Sequence, residues 1–271
     1  VTFKTAGIPF VKASACGNDF LLIDWSQAEG AFASSNIAEF TRRICNRHDG
    51  VGADGVEWMR PHSTADVEIQ LINADGSEAE ISGNGTRCVA AFLYAENGKE
   101  KIALQTGAGL KTCVLTGQKP PEYEFEIAMG EAEVGAELAV QFDGREVRGI
   151  PVSMGNPHYV VFVPEVREGW QGEAAKIQSS SKFRKGVNVE MVVITGKHDV
   201  NVRFFERGVG ETQSSGTGSC ASAVAALATG RVESPVRVHA PGGTQMVRKD
   251  GNVVFLRGTA RLVCRGEFLV G

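Results

Sequence analysis

One short pattern occurs twice in this chain, and it limits what the chain can fold into. Ser82-Gly83-Asn84-Gly85 and Ser215-Gly216-Thr217-Gly218 stand 133 residues apart (215 − 82). Glu78 and Glu211 keep the same offset, and Asn73 stands where Glu206 stands. Each loop runs into a stretch of strong helix formers. The first is Val89 to Ala95, stopped near Asn97-Gly98, and the second is Ala221 to Ala228, ended by Gly230. An earlier pair, Cys16-Gly17-Asn18-Asp19 and Met154-Gly155-Asn156-Pro157, repeats in the same order at an offset of 138 (155 − 17). A period of about half the chain implies a duplicated domain. A lone glycine turn before a helix can be a mere connection. Two copies in related domains that face each other would aim two helix N-termini and two side chains into one cleft.

The duplicated loops also suggest chemistry. A helix start leaves backbone N–H groups unpaired, and its dipole favours an anion. A carboxylate or phosphate at either glycine loop would have the hydroxyl of Ser82 or Ser215 beside it.

Composition sets the outer bounds. The 271 residues suffice for two domains of common size. We place the first over 1–124, with a last strand, 262–271, returning to it, and the second over 125–261. Pro120-Pro121 lies near the midpoint and marks the end of the first domain. A hydrophobic content of 42% and a charged content of 22% are those of a soluble globular protein. The net charge of −4 offers no basic footprint for nucleic acid. No apolar run approaches the ~20 residues of a spanning helix, and Val1 to Asp24 lacks the plan of a signal peptide. The six cysteines are scattered without metal spacing, as expected of reduced thiols in a cytoplasmic protein.

In order, strands alternate with few helices, an α/β (α+β) pattern. Ser35-Asn36 caps a predicted helix from Ile37 to Cys45, with Ile37, Phe40 and Ile44 at helical spacing. Val67 to Ile72 alternates as a strand and delivers Asn73 to the first loop. Val200 to Glu206 does the same for Glu206-Arg207. Asn18 sits in a turn between two apolar runs, where Asn also suits a turn without any ligand. His158 lies between a turn and a strongly apolar strand, a place more common for a satisfied structural histidine. Asn188 interrupts an apolar strand, as either a solvent-facing residue or a ligand contact. After the second helix, Val236 to His239, the Pro241-Gly242-Gly243 turn and three more β runs complete the chain.

Gly17-Asn18-Asp19-Phe20, Asn73-Ala74-Asp75-Gly76-Ser77-Glu78, Gly83-Asn84-Gly85, Met154-Gly155-Asn156-Pro157-His158, Glu206 to Thr212 and Pro241-Gly242-Gly243 together resemble diaminopimelate epimerase. The resemblance extends from the first strand to Gly266-Glu267. It implies two pseudo-symmetric domains, each a β-barrel-like sheet around a central helix. It implies no pyridoxal phosphate, no other cofactor and no metal, a homodimer, and interconversion of the LL and meso forms of 2,6-diaminopimelate in lysine and peptidoglycan precursor synthesis. It assigns Asn18, Asn73, Asn156, Asn188, Glu206 and Arg207 to the amino and carboxyl groups of the substrate. It places the reacting carboxylate at Gly83-Asn84 and Gly216-Thr217, and gives His158 and Glu206 a part in setting protonation states.

This sequence departs from the family pattern at the two bases. Where the family carries a cysteine pair, this chain has Ser82 and Ser215. A thiol, with an ordinary pKa of about 8.5, can be poised near neutrality by a helix N-terminus; a hydroxyl is a far weaker acid. Three explanations stay open: both cysteines were replaced, the serines work slowly with His158 and Glu206, or epimerisation has been lost. Cys88 and Cys220, inside the following helices, are expected to be buried, and Cys16 is a more remote candidate base. Beside the epimerase stand two alternatives: a non-catalytic amino-acid binding homologue, and a related isomerase acting on another small acid.

Overall fold

The computed structural model describes residues 7–28 and 36–269, and its chain divides into two units, 1–127 with 258–271 and 128–257. The first unit starts with β1 (Gly7–Ala15) and β2 (Asn18–Asp24). Their hairpin turns at Cys16 and Gly17, both at positive φ (48° and 85°), the conformation that matches the twist of paired strands. After α1 (Trp25–Ala28) comes α2 (Ile37–Cys45), whose cap is Asn36, accepting from Glu39 N; Ser35 lies outside the described residues. Then follow β3 (Gly55–Arg60), β4 (Val67–Asn73), β5 (Glu78–Ala79), α3 (Gly83–Asn97), β6 (Lys101–Thr106), β7 (Gly109–Lys119) and β8 (Glu122–Glu131).

The second unit contains β9 (Glu133–Val134), β10 (Leu138–Phe142), β11 (Arg145–Ser153), β12 (Pro157–Phe162), α4 (Trp170–Gln178), β13 (Asn188–Gly196), β14 (Asp199–Glu206), β15 (Gly210–Thr212), α5 (Gly216–Ala228), β16 (Val236–Ala240) and β17 (Gly243–Asp250). The last strand, β18 (Val253–Leu269), starts in this unit and ends in the first.

The pairing order is the duplication seen at the level of the backbone. In the first unit β1–β2 is antiparallel, β2–β3 parallel, β3–β4 antiparallel, β4–β6 parallel, and β6–β7 and β7–β8 antiparallel. In the second, β11–β12, β12–β13, β13–β14, β14–β16, β16–β17 and β17–β18 run through the same series. β18 pairs with both β1 and β8, so the first unit's ladder closes into an eight-strand ring with no free edge. Mixed α+β architecture with a closed barrel is the expected fold class.

Each unit buries one helix on all sides. Asn84 to Ala91 of α3 and Gly218 to Ala226 of α5 are buried without a break, so neither helix has a solvent stripe over that length. α5 fits with small residues, Ala-Ser-Ala-Val-Ala-Ala at 221–226, whereas the buried run of α3 includes the large Arg87. The rest of the core is apolar strand, as in the cluster of Val160, Val192, Val202, Phe204, Val238 and Leu256 around α5.

Several details differ from the sequence reading. α3 and α5 start at Gly83 and Gly216, earlier than alanine content suggested, because Ser82 and Ser215 cap them and draw both glycine loops into the first turn. α4 was not foreseen, although Trp170, Ala174 and Ile177 form its buried face at helical spacing. The three expected β runs after Pro241 are two strands, β17 and a 17-residue β18. Pro120-Pro121 forms the turn of the β7–β8 hairpin, within the first unit.

Candidate active site

In the first unit the candidate residues gather at the start of α3. Ser82 is the N-cap, and its Oγ accepts from Gly85 N at 3.1 Å. Its carbonyl accepts from Thr86 N at 2.8 Å, the first bond of the helix. Gly83 and Asn84 are therefore the first helical residues, where N–H groups have no partner within the helix. Asn84 Nδ2 donates to Asn18 Oδ1 at 2.7 Å, and Asn18 Nδ2 donates to Asp54 Oδ2 at 3.0 Å. Arg87, fully buried one turn on, donates to Asn84 Oδ1 and lies 3.6 Å from Cys16 Sγ. Thus Asn18 and Asn84 form one linked set. Asn73, at the end of β4, donates to Ser77 Oγ at 3.0 Å within its own turn.

Beside this set, Asp19 takes ion pairs from Lys12 at 3.0 Å and Arg47 at 2.8 Å. Burial pushes its carboxyl up, but hydrogen bonds from Arg47 and Lys12 outweigh it and hold Asp19 below the usual carboxylate range.

The second unit repeats the plan around α5. Ser215 is the N-cap, and its Oγ accepts from Gly218 N at 3.2 Å. Asn156, in the turn before β12, donates from Nδ2 to Thr217 Oγ1 at 3.3 Å, and its Oδ1 lies 3.0 Å from His158 Nε2. His158 Nδ1 lies 2.7 Å from Glu190 Oε1. A hydrogen-bonded chain thus runs Glu190–His158–Asn156–Thr217 from the core to the first turn of α5. Because Asn156 Oδ1 can only accept, Nε2 carries a hydrogen, and His158 and Glu190 share one further proton between Nδ1 and the carboxyl. Burial pushes the Glu190 carboxyl up, against the attraction of His158.

Glu206 and Arg207 arrive at the end of β14. Thr212 Oγ1 donates to Glu206 Oε1 at 3.0 Å, Asn188 Oδ1 accepts from Arg207 N at 2.9 Å, and Arg207 Nη1 donates to Lys185 O at 2.7 Å. His158, at 1% exposure, is satisfied at both nitrogens and faces no solvent. It acts on its surroundings through Asn156. Cys88 and Cys220 are fully buried, and desolvation pushes the Cys88 thiol far up, so neither cysteine is an accessible base. Among the described residues no three His, Cys, Asp or Glu side chains gather as a metal-ligand set.

Two residues escaped the sequence reading, Glu57 and Glu190. Both are buried at 1% exposure, and they stand 133 residues apart (190 − 57), the offset of the two loops. A glutamate breaking each apolar run, Val56-Glu57-Trp58 and Val189-Glu190-Met191, was the available signal.

The chain is similar to known proteins over most of its length. The family model for diaminopimelate epimerase matches residues 10–134 and 150–263. A diaminopimelate epimerase of Desulfitobacterium hafniense is 34% identical over 278 residues, covering 96% of this chain and 97% of that protein. One from Sphingopyxis alaskensis is 35% identical over 271 residues, covering 95% and 96%. Among solved structures, a phenazine biosynthesis protein of the PhzF family from Bacillus anthracis superposes with a TM-score of 0.73 at 18% identity, covering 99% of this chain and 100% of that one. A hydroxyproline epimerase from Agrobacterium vitis superposes with a TM-score of 0.68 at 16% identity, covering 98% and 92%. At such identities these two share the fold alone. The duplicated capped helices, the matched motifs and the full-length relatives agree: this chain belongs to the diaminopimelate epimerase family of isomerases.

Proposed function

We propose that this chain binds 2,6-diaminopimelate and inverts one of its α-carbons, interconverting the LL and meso forms by proton transfer at two positions, 82 and 215. One observation carries the reading. Each unit buries a helix capped by a serine, Ser82 or Ser215, with first-turn amides beside it, and these are the two positions to which the family resemblance assigns its bases.

The chemistry follows from acidity. An amino-acid α-hydrogen is hard to remove because the electron pair left on carbon has nowhere to go except the adjacent carboxylate. Helix N-termini and oriented N–H donors stabilise the charge that moves there. A base on one face takes the proton, the carbanion persists in that field, and an acid on the opposite face returns a proton to the same carbon, inverting it. Ser82 and Ser215 supply one position each. Asn18 and Asn73 in the first unit, and Asn156, Asn188, Glu206 and Arg207 in the second, offer polar groups for a zwitterion, with Gly83-Asn84 and Gly216-Thr217 for the reacting carboxylate.

Hydroxyls make this chain a slow catalyst. Each accepts a helix amide and, as a weak acid, neither ionises near neutrality nor takes a proton readily. On the family resemblance we expect a homodimer, in the cytoplasm, serving lysine and peptidoglycan precursor synthesis.

Deuterium incorporation at the α-carbon of LL-diaminopimelate in D2O, run beside a Ser82→Cys/Ser215→Cys form, tests the reading. Exchange in the double variant and little in the unmodified chain is expected. Binding without exchange in both would favour an amino-acid binding homologue, for which the serines and the retained polar set speak. Absence of binding in both would overturn the assignment.

A further inference from the structure

We propose that Glu57 is a positioning residue of the first unit's capped loop: its buried carboxyl group lies beneath the capped turn of α3 and controls the acidity of the side chain at position 82. This deepens the epimerase reading and rests on it for the meaning of position 82.

The geometry is specific. Glu57 sits in the middle of β3 at 1% exposure, and among the described residues neither carboxyl oxygen has a hydrogen-bond partner. An unsatisfied buried acid is rare enough in a folded protein to need a reason. A Cβ placed on Gly85 would come within 1.9 Å of Glu57 Oε1 and 3.3 Å of Ser82 Cβ. The carboxyl therefore fills the space that a side chain at Gly85 would occupy, next to the residue that caps the helix. Gly85 is also the residue whose N–H binds Ser82 Oγ. Few charges compete for this acid. Its cross-strand neighbours, Leu22 on β2 and Leu71 on β4, are apolar. From α3 the titratable neighbour is the Cys88 thiol, pushed up by burial and, to a smaller degree, by Glu57 itself. Arg87 on the same helix is turned to Asn84 and Cys16.

The second unit shows the same device with a partner. Glu190 repeats Glu57, and Gly218 repeats Gly85, each at an offset of 133 (190 − 57, 218 − 85). A Cβ on Gly218 would lie 2.9 Å from Glu190 Oε1. There the acid is held by His158, which pairs across the strands with Asn188. In the first unit the residue at that register position, opposite Gly55, is Phe20. The first unit has the acid without the histidine.

An acid in that place acts through charge. Protonated, it leaves the positive end of α3 free to stabilise an anion at position 82 or on a bound carboxylate. Ionised, it opposes the helix end and makes any group at position 82 harder to deprotonate. Desolvation pushes its pKa up to about 8, so the neutral form prevails at neutral pH.

A thiol at position 82 reports this coupling without substrate. In a Ser82→Cys protein the thiol would be titrated by its absorbance near 240 nm and by its alkylation rate against pH. If the thiol ionises after Glu57, above about pH 8, adding Glu57→Gln should lower its pKa by about one unit or more, the usual effect of removing a like charge a few ångströms away. The same change should leave the thiol of a Ser215→Cys protein where it was. The reverse coupling is read by carbon NMR of labelled glutamate in the folded Ser82→Cys protein. Alkylating the thiol, which removes its charge, should lower the apparent pKa of Glu57. That arm holds even if Glu57→Gln does not fold. An unmoved thiol at position 82 together with a Glu57 titration blind to alkylation, or an equal thiol shift at 215, would overturn the proposal. Because neither arm uses diaminopimelate, coupling in a protein that fails to bind it would sink the epimerase reading alone.

Discussion

His158 Nδ1 and Glu190 Oε1 lie 2.7 Å apart in the core of the second unit, in a pair with almost no exposure to water. Each residue is costly there alone. An ionised carboxylate without water needs a partner, and an imidazole with one nitrogen bound to an amide oxygen needs an acceptor or donor at the other. Together they share a proton and fix the direction of the Asn156 amide, which reaches Thr217 at the start of α5. A structural pair thereby orients a candidate substrate-binding residue.

Breaking that pair from one side should be worse than removing it. His158→Leu leaves Glu190 buried and unpaired, an expected loss of about 3–5 kcal/mol. His158→Leu/Glu190→Leu should recover much of it. Urea denaturation of both single variants and the double variant would show this as a coupling above about 1 kcal/mol. Additive losses would mean that the bond contributes little.

Glu57 predicts a pH dependence of stability. Its folded pKa, raised to about 8 from an ordinary 4.5, exceeds the unfolded value. The stability associated with the neutral acid is fully present below the unfolded pKa and is lost as pH rises to the folded one, because the unfolded chain releases that proton first. Glu57→Gln should match the parent near pH 4.5 and exceed it near pH 8 by on the order of a few kcal/mol. Denaturation midpoints across that range test it. Parallel curves for parent and variant would show that the carboxyl is not held protonated.

Serine at the two cap positions should hold its helix better than cysteine. Ser82 Oγ and Ser215 Oγ each accept the amide three residues on, at 3.1 and 3.2 Å, and sulfur is a weaker acceptor. Ser82→Ala and Ser215→Ala should each cost about 1 kcal/mol, and the Cys variants a smaller amount. Thermal unfolding of the four single variants would rank them. Cysteine more stable than serine would rule out capping as the serine's structural role.

Gly85 has one tolerated side chain, hydrogen. Gly85→Ala would press a methyl group onto Glu57 Oε1 in a fully packed site, with an expected cost of about 1–3 kcal/mol. In a Glu57→Ala background the same change should cost much less, since its obstacle is gone. Equal cost in both backgrounds, measured by chemical denaturation, would place the obstacle elsewhere.

The strands, the two helix-bearing loops and the family motifs could be read from the chain because each is written in neighbouring residues. Val67 to Ile72 alternates because one face of β4 is buried. Ser82 and Ser215 mark helix starts because a side-chain oxygen can satisfy an amide only a few residues away. Local competition hides the remaining elements. Glycines at 83, 85, 216 and 218 resemble a turn by propensity, yet caps and burial make them helix. α4 carries too few apolar residues to stand out from a polar loop, and its face becomes visible only against β13 and β14.

By itself the sequence determined the duplication, the fold class, the family and the residue types at positions 82 and 215, all properties carried by order and spacing. Tertiary structure alone decided which polar side chains meet. Asn18 finds Asn84, Glu190 finds His158, and Glu57 finds no hydrogen-bond partner among the described residues, since each meeting joins elements distant in the chain. Whether a buried acid is satisfied depends on cross-strand register and on the space beside a glycine. Those are set when the sheet closes around its helix.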